Sequence, residues 1–225
     1  MKYHRDHILI IGDTHIPFEL PNYLDFCLEI KERVKCGTVV HIGDLVDNHA
    51  ISYHEHDPNG KSPKDEMEEA DRCLEKWFKA FPKLCLCRAN HDLVDRKAKT
   101  VGLPERVFKS FAEMWRLPKG WKNDFSFEID GVIYEHGTGY SGDNAHMKAA
   151  YNNRQPTVIG HTHSQGAIGY LANEKDCIFG MNVGCGINRH TYAFEYGRNF
   201  KKKPIISCGV VTDNGHFAQV FPMSL

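Results

Sequence analysis

Asp13-Thr14-His15, Gly43-Asp44 with Asp47 beyond it, Asn90-His91-Asp92, His136-Gly137 and Gly160-His161-Thr162-His163 share one kind of chemistry. Each fragment offers carboxylate, amide or imidazole donors. These are ligands of divalent Mn, Fe, Zn, Ni or Mg, and none of them needs a thiolate. Spacing adds to type. Asp13 and His15, like His161 and His163, stand one residue apart, so in an extended loop both side chains of a pair point the same way. Gly43 lets the backbone turn sharply, so that the Asp44 carboxylate can reach two ions at once. The chain has 14 histidines, and a lone one is more often a surface or satisfied core residue; His41, His146 and His216 take that reading.

The elements that must position these fragments follow from the hydrophobic pattern. His7 to Ile11 and Thr38 to Ile42 read as short buried strands rich in β-branched residues. Between them, Asn22 to Val34 carries Leu24, Cys27, Leu28 and Val34 at helical spacing. A second helix is capped by Ser62, has Pro63 in its first turn, and gains an S-x-x-D capping box from Asp65. Met67, Ala70, Cys73, Leu74, Trp77 and Phe81 form its apolar stripe, and Pro82 ends it. Leu84 to Cys87 follows as a strand, with Cys85 and Cys87 on one face. The order β-α-β-α-β argues a parallel sheet with helices packed on it. Later, Phe125 to Ile129 and Val132 to Glu135 flank an Asp130-Gly131 hairpin turn, and Thr157 to Ile159 is another short strand. Ile205 to Thr212 and His216 to Phe221 flank Asp213-Asn214-Gly215, again a hairpin. The expectation is one domain over 1–225, with two stacked sheets, helices outside, and the donor fragments at the carboxyl ends of strands.

Composition narrows the setting. A formal net charge of −1 gives no global basic footprint, though a locally basic groove remains allowed. Lys201-Lys202-Lys203 is a short basic run that reads as an exposed turn or as a contact to a nucleic-acid backbone. The 8 cysteines include no C-x-x-C pair and read as small buried hydrophobes in a reducing cytosol. A closed structural zinc site, which takes four ligands and favours cysteine, fits poorly. The run Ile8-Leu9-Ile10-Ile11 is too short for a signal-peptide core or a membrane span, so a cytoplasmic protein without membrane contact is expected.

The set D-x-H, G-D-x-x-D, N-H-D, H-G and G-H-x-H, spread over residues 13 to 163, resembles the calcineurin-like metallophosphoesterase superfamily, in its small stand-alone members. The resemblance implies an α/β fold, a four-layer α/β/β/α sandwich of two mixed sheets (the metallo-dependent phosphatase fold) holding two divalent metal ions. It implies that Asp13, His15, Asp44 and His163 hold the first ion, and that Asp44 bridges to a second completed by Asn90, His136 and His161. His91 resembles the family's catalytic histidine, and Asp47 the carboxylate that orients it. Manganese is the expected metal, with Fe, Zn, Ni or Mg as alternatives. The resemblance implies that two such ions would bind a phosphate and supply a hydroxide by lowering the pKa of bound water, and that His91 would protonate the leaving oxygen. The sequence departs from the family pattern twice. Ala89 stands where a glycine is usual, and Asn48-His49 stand where the protein Ser/Thr phosphatases of the superfamily carry Arg-Gly.

The missing arginine makes a phosphoprotein substrate an unfavoured reading. A phosphodiesterase acting on nucleic acid or cyclic nucleotides is the leading expectation, with a phosphomonoesterase for small phosphate esters as the alternative. A non-catalytic metal-binding scaffold would show decay among the donors, and none is missing. Substrate contacts are expected from the polar loop after Asp47, through His49 or His54, and from Tyr140, which could stack on a base or pack as scaffold. Arg88 is a further candidate phosphate contact, or else a strand-end arginine paired with a carboxylate.

Overall fold

The computed structural model describes residues 7–51, 57, 60–94 and 102–224. In chain order its first half runs β1 (His7–Ile11), α1 (Tyr23–Val34), β2 (Cys36–His41), α2 (Pro63–Ala80), β3 (Leu84–Cys87), α3 (Phe111–Met114) and β4 (Trp121–Asp124). The second half runs β5 (Ser126–Ile129), β6 (Val132–Glu135), α4 (Ala145–Asn153), β7 (Thr157–Ile159), β8 (Ala167–Ala172), β9 (Cys177–Asn182), β10 (Ser207–Thr212) and β11 (Phe217–Pro222). One sheet has the order β11-β10-β1-β2-β3-β4, the other β5-β6-β7-β9-β8. β1 to β4 are mutually parallel and β10 and β11 close that edge antiparallel; in the second sheet β6, β7 and β9 are parallel, with β5 and β8 antiparallel on the flanks.

The layers follow from strand alternation. Leu9 and Ile11 of β1 point into a core shared with Tyr23, Cys27 and Ile30 of α1 and Ala70, Leu74 and Trp77 of α2. Ile8 and Ile10 point the other way, into a core with Val132, Tyr134, Val158, Phe179 and Met181 of the second sheet. Both faces of β1 are covered, which is why its sequence is a continuous apolar run rather than an alternating one. α4 packs on the outside of β7 and β9, with Ala145 and Ala149 against Ile159. The result is the expected α/β/β/α sandwich of two mixed sheets.

Local signals behave as their chemistry requires. Ser62 Oγ accepts the Asp65 N–H at 3.2 Å with Pro63 in the first turn, so α2 starts where the capping residues put it. Asp130 and Gly131 both have positive φ, as a two-residue hairpin turn needs. Cys85 and Cys87 both pack in the core between the sheets. Some expectations shift. β2 starts at Cys36 rather than Thr38, and β10 at Ser207 rather than Ile205. Met67 is not part of the buried stripe: it is 48% exposed and flanks a small cleft with Ile51 and Val94. α3, β4, α4, β8 and β9 are additions. Among the described residues no helix is long and apolar enough to cross a membrane.

Candidate metal centre

The strand ends meet on one rim, and the backbone ties the five donor fragments together. The Thr14 and His15 N–H groups donate to the Asp44 carbonyl at 3.2 and 2.9 Å. His161 N–H donates to Asp13 Oδ2 at 2.8 Å, His91 N–H to Asp44 Oδ1 at 2.9 Å, and Gly160 N–H to the His136 carbonyl at 3.1 Å. Three of the donor residues sit in the left-handed region: His15 (φ 48°), Asp44 (φ 46°) and His161 (φ 64°). Such backbone is costly for residues with a Cβ and collects at functional sites. It also corrects the extended-loop geometry expected for the two i, i+2 pairs. The turn at His161 sends its ring toward His136 and that of His163 toward His15, so the pair serves two groups rather than one.

Two glycines make the approach possible. Gly43 has φ +111°, and a Cβ there would come within 2.6 Å of the Ala89 Cβ and 2.9 Å of His136 Nδ1. Ala89, by contrast, is buried without a positive φ, so the position where a glycine was usual accepts its methyl group. At Gly160 a Cβ would overlap Asp13 Oδ1 and lie 2.6 Å from Ile42 Cγ2.

Three groups of donors result among the described residues. The ligand atoms of Asp13, His15, Asp44 and His163 lie within 4.8 Å of one another, as do those of Asp44, His136 and His161, and Asp44 belongs to both. The third group is His15, Asp47 and His91. His15 Nε2 faces His163 Nε2 at 3.1 Å, and His136 Nε2 faces both His161 Nδ1 and Asp44 Oδ2 at 3.1 Å. The outward nitrogens are held from behind: His15 Nδ1 donates to Asp47 Oδ1 at 2.6 Å and His136 Nδ1 to the Ile42 carbonyl at 3.2 Å. Fixing one ring nitrogen this way aims the other at a metal. Asp13 Oδ1 is buried without a hydrogen-bond partner among the described residues, a costly state that a cation would relieve. Facing imidazoles, converging carboxylates and this orphan oxygen fit divalent ions well. Asn90 borders the same cavity as Asp44 and His161, and its Oδ1 accepts Thr138 Oγ1 at 3.2 Å.

The electrostatics separate the groups. Burial alone would raise Asp13 and Asp44, but His136 and its neighbouring imidazoles hold both carboxylates below their ordinary value, Asp44 well below. Burial and then His91 push His15 well below the usual histidine value, and burial and His136 lower His161. His136 goes the other way: burial opposes its charge, yet Asp44 and Asp13 lift it to about 9. His91 is also raised, with burial outweighed by Asp44 and Asp47. Burial brings Asp47 to about 6 against the pull of His91, and burial together with Asp44 brings Asp92 to about 8.

His91 stands beside this cluster, its ring 4.6 Å from that of His15, and lines a cavity of about 870 Å³ together with Asp44, His161 and His163. Asp47 reaches it differently than expected, since it is the Asp47 backbone carbonyl that accepts His91 Nδ1–H at 2.7 Å. The expected substrate contacts fare less well. Arg88 donates to Asn123 Oδ1 at 2.9 Å and lies between the Phe111 and Phe125 rings, away from the cavity lining, so its charge is engaged in structure. His49 is buried behind Asp47, its Nδ1 3.9 Å from Asp47 Oδ2, rather than over the cavity. Tyr140 packs against Ala145, Ala149 and Ile159 and accepts Asn152 Nδ2 at 3.4 Å, a scaffold role. His54 lies outside the described residues.

Several supports were not foreseen. Asn182 Nδ2 donates to the Gly160 carbonyl at 3.0 Å and Thr162 Oγ1 at 2.6 Å, holding the His161–His163 turn. Phe194 packs edge-on against His15 and His163. His41, as expected, is a satisfied core residue. Its Nδ1 accepts Gly43 N–H, its Nε2 meets Thr14 Oγ1, and burial lowers its pKa to about 3.

A two-sheet sandwich with a buried His/Asp cluster able to bind metal ions at its strand ends defines a class of metal-dependent hydrolases. The family model described as calcineurin-like phosphoesterase matches residues 7–175, and the chain belongs to that family. Similar solved structures include an archaeal phosphodiesterase (16% identity, 96% of this chain and 99% of that one, TM-score 0.49). A metallophosphoesterase from Sphaerobacter thermophilus is similar at 16% identity, over 98% of this chain and 89% of that one, with TM-score 0.49. Vacuolar protein sorting 29 from Cryptosporidium parvum is similar at 14% identity, over 97% of each chain, with TM-score 0.47. At these identities none of them decides a substrate. No curated protein sequence matches the chain.

Proposed function

We propose that this chain is a phosphodiesterase that uses two divalent ions, manganese foremost, with His91 as its general acid. The observation that carries the reading is that Asp44 belongs to two of the donor groups while His91 lines the same cavity. Asp13, His15, Asp44 and His163 would hold one ion, and Asp44, Asn90, His136 and His161 the other. Bound there, divalent ions neutralise phosphate charge and make water a nucleophile near neutral pH. An all-oxygen-and-nitrogen donor set suits Mn, Fe, Zn, Ni or Mg.

The chain's own residues supply the rest. Asp44 and Asp47 raise His91 above its ordinary value, which favours the protonated form that a general acid needs. The Asp47 carbonyl fixes its Nδ1, leaving Nε2 as the nitrogen that faces substrate. Support for a diester over a monoester comes from the engagement of Arg88 with Asn123 and from a cavity of about 870 Å³, roomy enough for groups on both sides of a phosphorus. A cytoplasmic setting agrees with 8 free cysteines.

The test is hydrolysis of bis-p-nitrophenyl phosphate against p-nitrophenyl phosphate with added Mn²⁺, beside Asp44→Asn. Faster diester cleavage, lost in the variant, is the expected result. A monoester preference would replace the diesterase with a monoesterase, and inactivity on both with metal bound would favour a scaffold.

A further inference from the structure

The metal cluster occupies one part of the cavity, and a second wall comes from a stretch of chain beyond the residues that the family model matches. This stretch, 187–204, crosses from the end of β9 to the start of β10. Its ends are pinned: Asn188 N–H donates to the Phe18 carbonyl at 2.8 Å, and Ile205 N–H to the His163 carbonyl at 2.8 Å. Phe194, buried against His15 and His163, anchors its middle directly beside the cluster. The wall is therefore built onto the site and held in register with it.

Its charge is unlike that of the whole chain. Residues 187–204 contain Arg189, Arg198, Lys201, Lys202 and Lys203 against the single acid Glu195, in a protein of formal net charge −1. Arg189, Arg198, Lys202 and Lys203 line the cavity, whose one lining carboxylate among the described residues is Asp44. The side chains of this wall are held by neighbours, Arg189 Nε by His190 Nε2 at 3.3 Å among them. Lys203 Nζ donates to the Arg198 carbonyl at 2.8 Å, and Lys202 pairs with Asp143 outside the cavity. Phe200 lines the same wall and is 59% exposed.

A single phosphate at the metal cluster would be matched by the ions that its donors would hold. Four further cations and an exposed ring imply a substrate with more anions and a flat apolar group beyond the reacting phosphorus. We propose that the 187–204 wall is a flanking subsite for single-stranded nucleic acid, with Arg189, Arg198, Lys202 and Lys203 gripping neighbouring phosphates and Phe200 stacking on an unpaired base. This rests on the phosphodiesterase reading above and deepens it: the preferred substrate is a strand rather than a mononucleotide. A duplex keeps its bases stacked and offers no face to the ring, so single strands are preferred.

The experiment uses a fluorescein-labelled single-stranded oligonucleotide of roughly ten nucleotides beside bis-p-nitrophenyl phosphate, which has no flanking phosphate. Wild type is compared with an Arg198→Gln, Lys202→Gln, Lys203→Gln triple variant and with Phe200→Ala, all exposed positions. The triple variant should lose on the order of tenfold or more in kcat/KM on the oligonucleotide beyond any loss on the small diester. The slope of log affinity against log salt, read by anisotropy, should fall by about 0.7 for each charge removed. Phe200→Ala should weaken oligonucleotide binding about tenfold without changing that slope. Equal losses on both substrates, or a wild type that cleaves the small diester but neither binds nor cleaves the oligonucleotide, overturns the subsite and leaves the diesterase standing. Salt-dependent oligonucleotide binding that the triple variant weakens, with no cleavage of either substrate, upholds the subsite and overturns the diesterase.

Discussion

Asp47 holds His91 with its backbone: its carbonyl accepts the Nδ1–H at 2.7 Å, whereas its carboxylate Oδ1 lies 3.4 Å from that nitrogen and only 2.6 Å from His15 Nδ1. A carbonyl can only accept, so His91 Nδ1 bears the proton whatever the side chain of residue 47 does. The Asp47 carboxylate instead fixes the tautomer of His15 and turns its Nε2 toward Asp13, Asp44 and His163. One residue thus braces two histidines with different groups, and substitutions can separate the two roles.

Asp47→Asn keeps the backbone carbonyl and weakens the support for His15. Metal affinity is expected to fall about 10- to 100-fold, while activity at saturating metal falls less than it does on loss of His91. Titration with Mn²⁺ and assay at saturation read the two effects apart. Undiminished metal affinity with a rate as low as that of a His91 variant would return the carboxylate to His91.

His91→Ala removes the proposed acid and none of the seven residues proposed to hold the ions. Metal content should stay intact while kcat drops on the order of 10²-fold or more. The drop should shrink for a diester whose leaving group is a weak base such as p-nitrophenolate, because that oxygen leaves without a proton. Metal analysis of the purified variant is the decisive control; loss of an ion would make His91 a ligand, in line with its grouping with His15 and Asp47.

The donor set is legible because most of the fragments join a strong residue type to the end of an apolar run of strand type. What the sequence left out was backbone handedness. An i, i+2 pair suggests extended backbone at His15 and His161, whereas both have positive φ, and the turn at His161 decides which group each ring of the His161–His163 pair joins. β4 was missed because Trp121-Lys-Asn-Asp has one apolar residue, buried beneath Phe78, and owes its strand form to pairing with β3. The 187–204 wall is half visible in the sequence. Lys201-Lys202-Lys203 stood out as a run, but Arg189 and Arg198 join it only through the path of the chain. Arg88 and Tyr140 drew notice by proximity in sequence, and tertiary neighbours engaged them elsewhere.

Proton and metal compete at His136. In the ion-free protein Asp44 and Asp13 overcome burial and raise its pKa from 6.5 to about 9, so Nε2 is protonated at neutral pH. A metal needs that nitrogen free. Binding should therefore release a proton, and affinity should rise up to about tenfold per pH unit until pH about 9, then level off. The sign for folding is opposite. A raised base stabilises the metal-free fold fully below pH 6.5, and that contribution disappears as pH climbs from 6.5 through about 9. Calorimetry in buffers of different protonation enthalpy, with Tm of chelated protein across that window, checks both signs. Affinity that stays flat with pH would mean His136 is neutral before metal arrives.

Gly160 permits the close approach of Asp13 to the His161 turn. A Cβ at residue 160 would overlap Asp13 Oδ1 and come within 2.6 Å of Ile42 Cγ2, with β7 and β1 fixed on either side. The carboxylate is the softer neighbour, so it is expected to move first, giving up the His161 N–H at 2.8 Å and the His163 Nε2 contact at 3.1 Å. Gly160→Ala should thus lower stability by about 1–3 kcal/mol and weaken metal binding more than the fold. Denaturant melts with and without Mn²⁺ measure this: the stabilisation gained from metal should shrink in the variant. An unchanged metal-dependent gain would show that Asp13 keeps its place and that Ile42 takes up the strain.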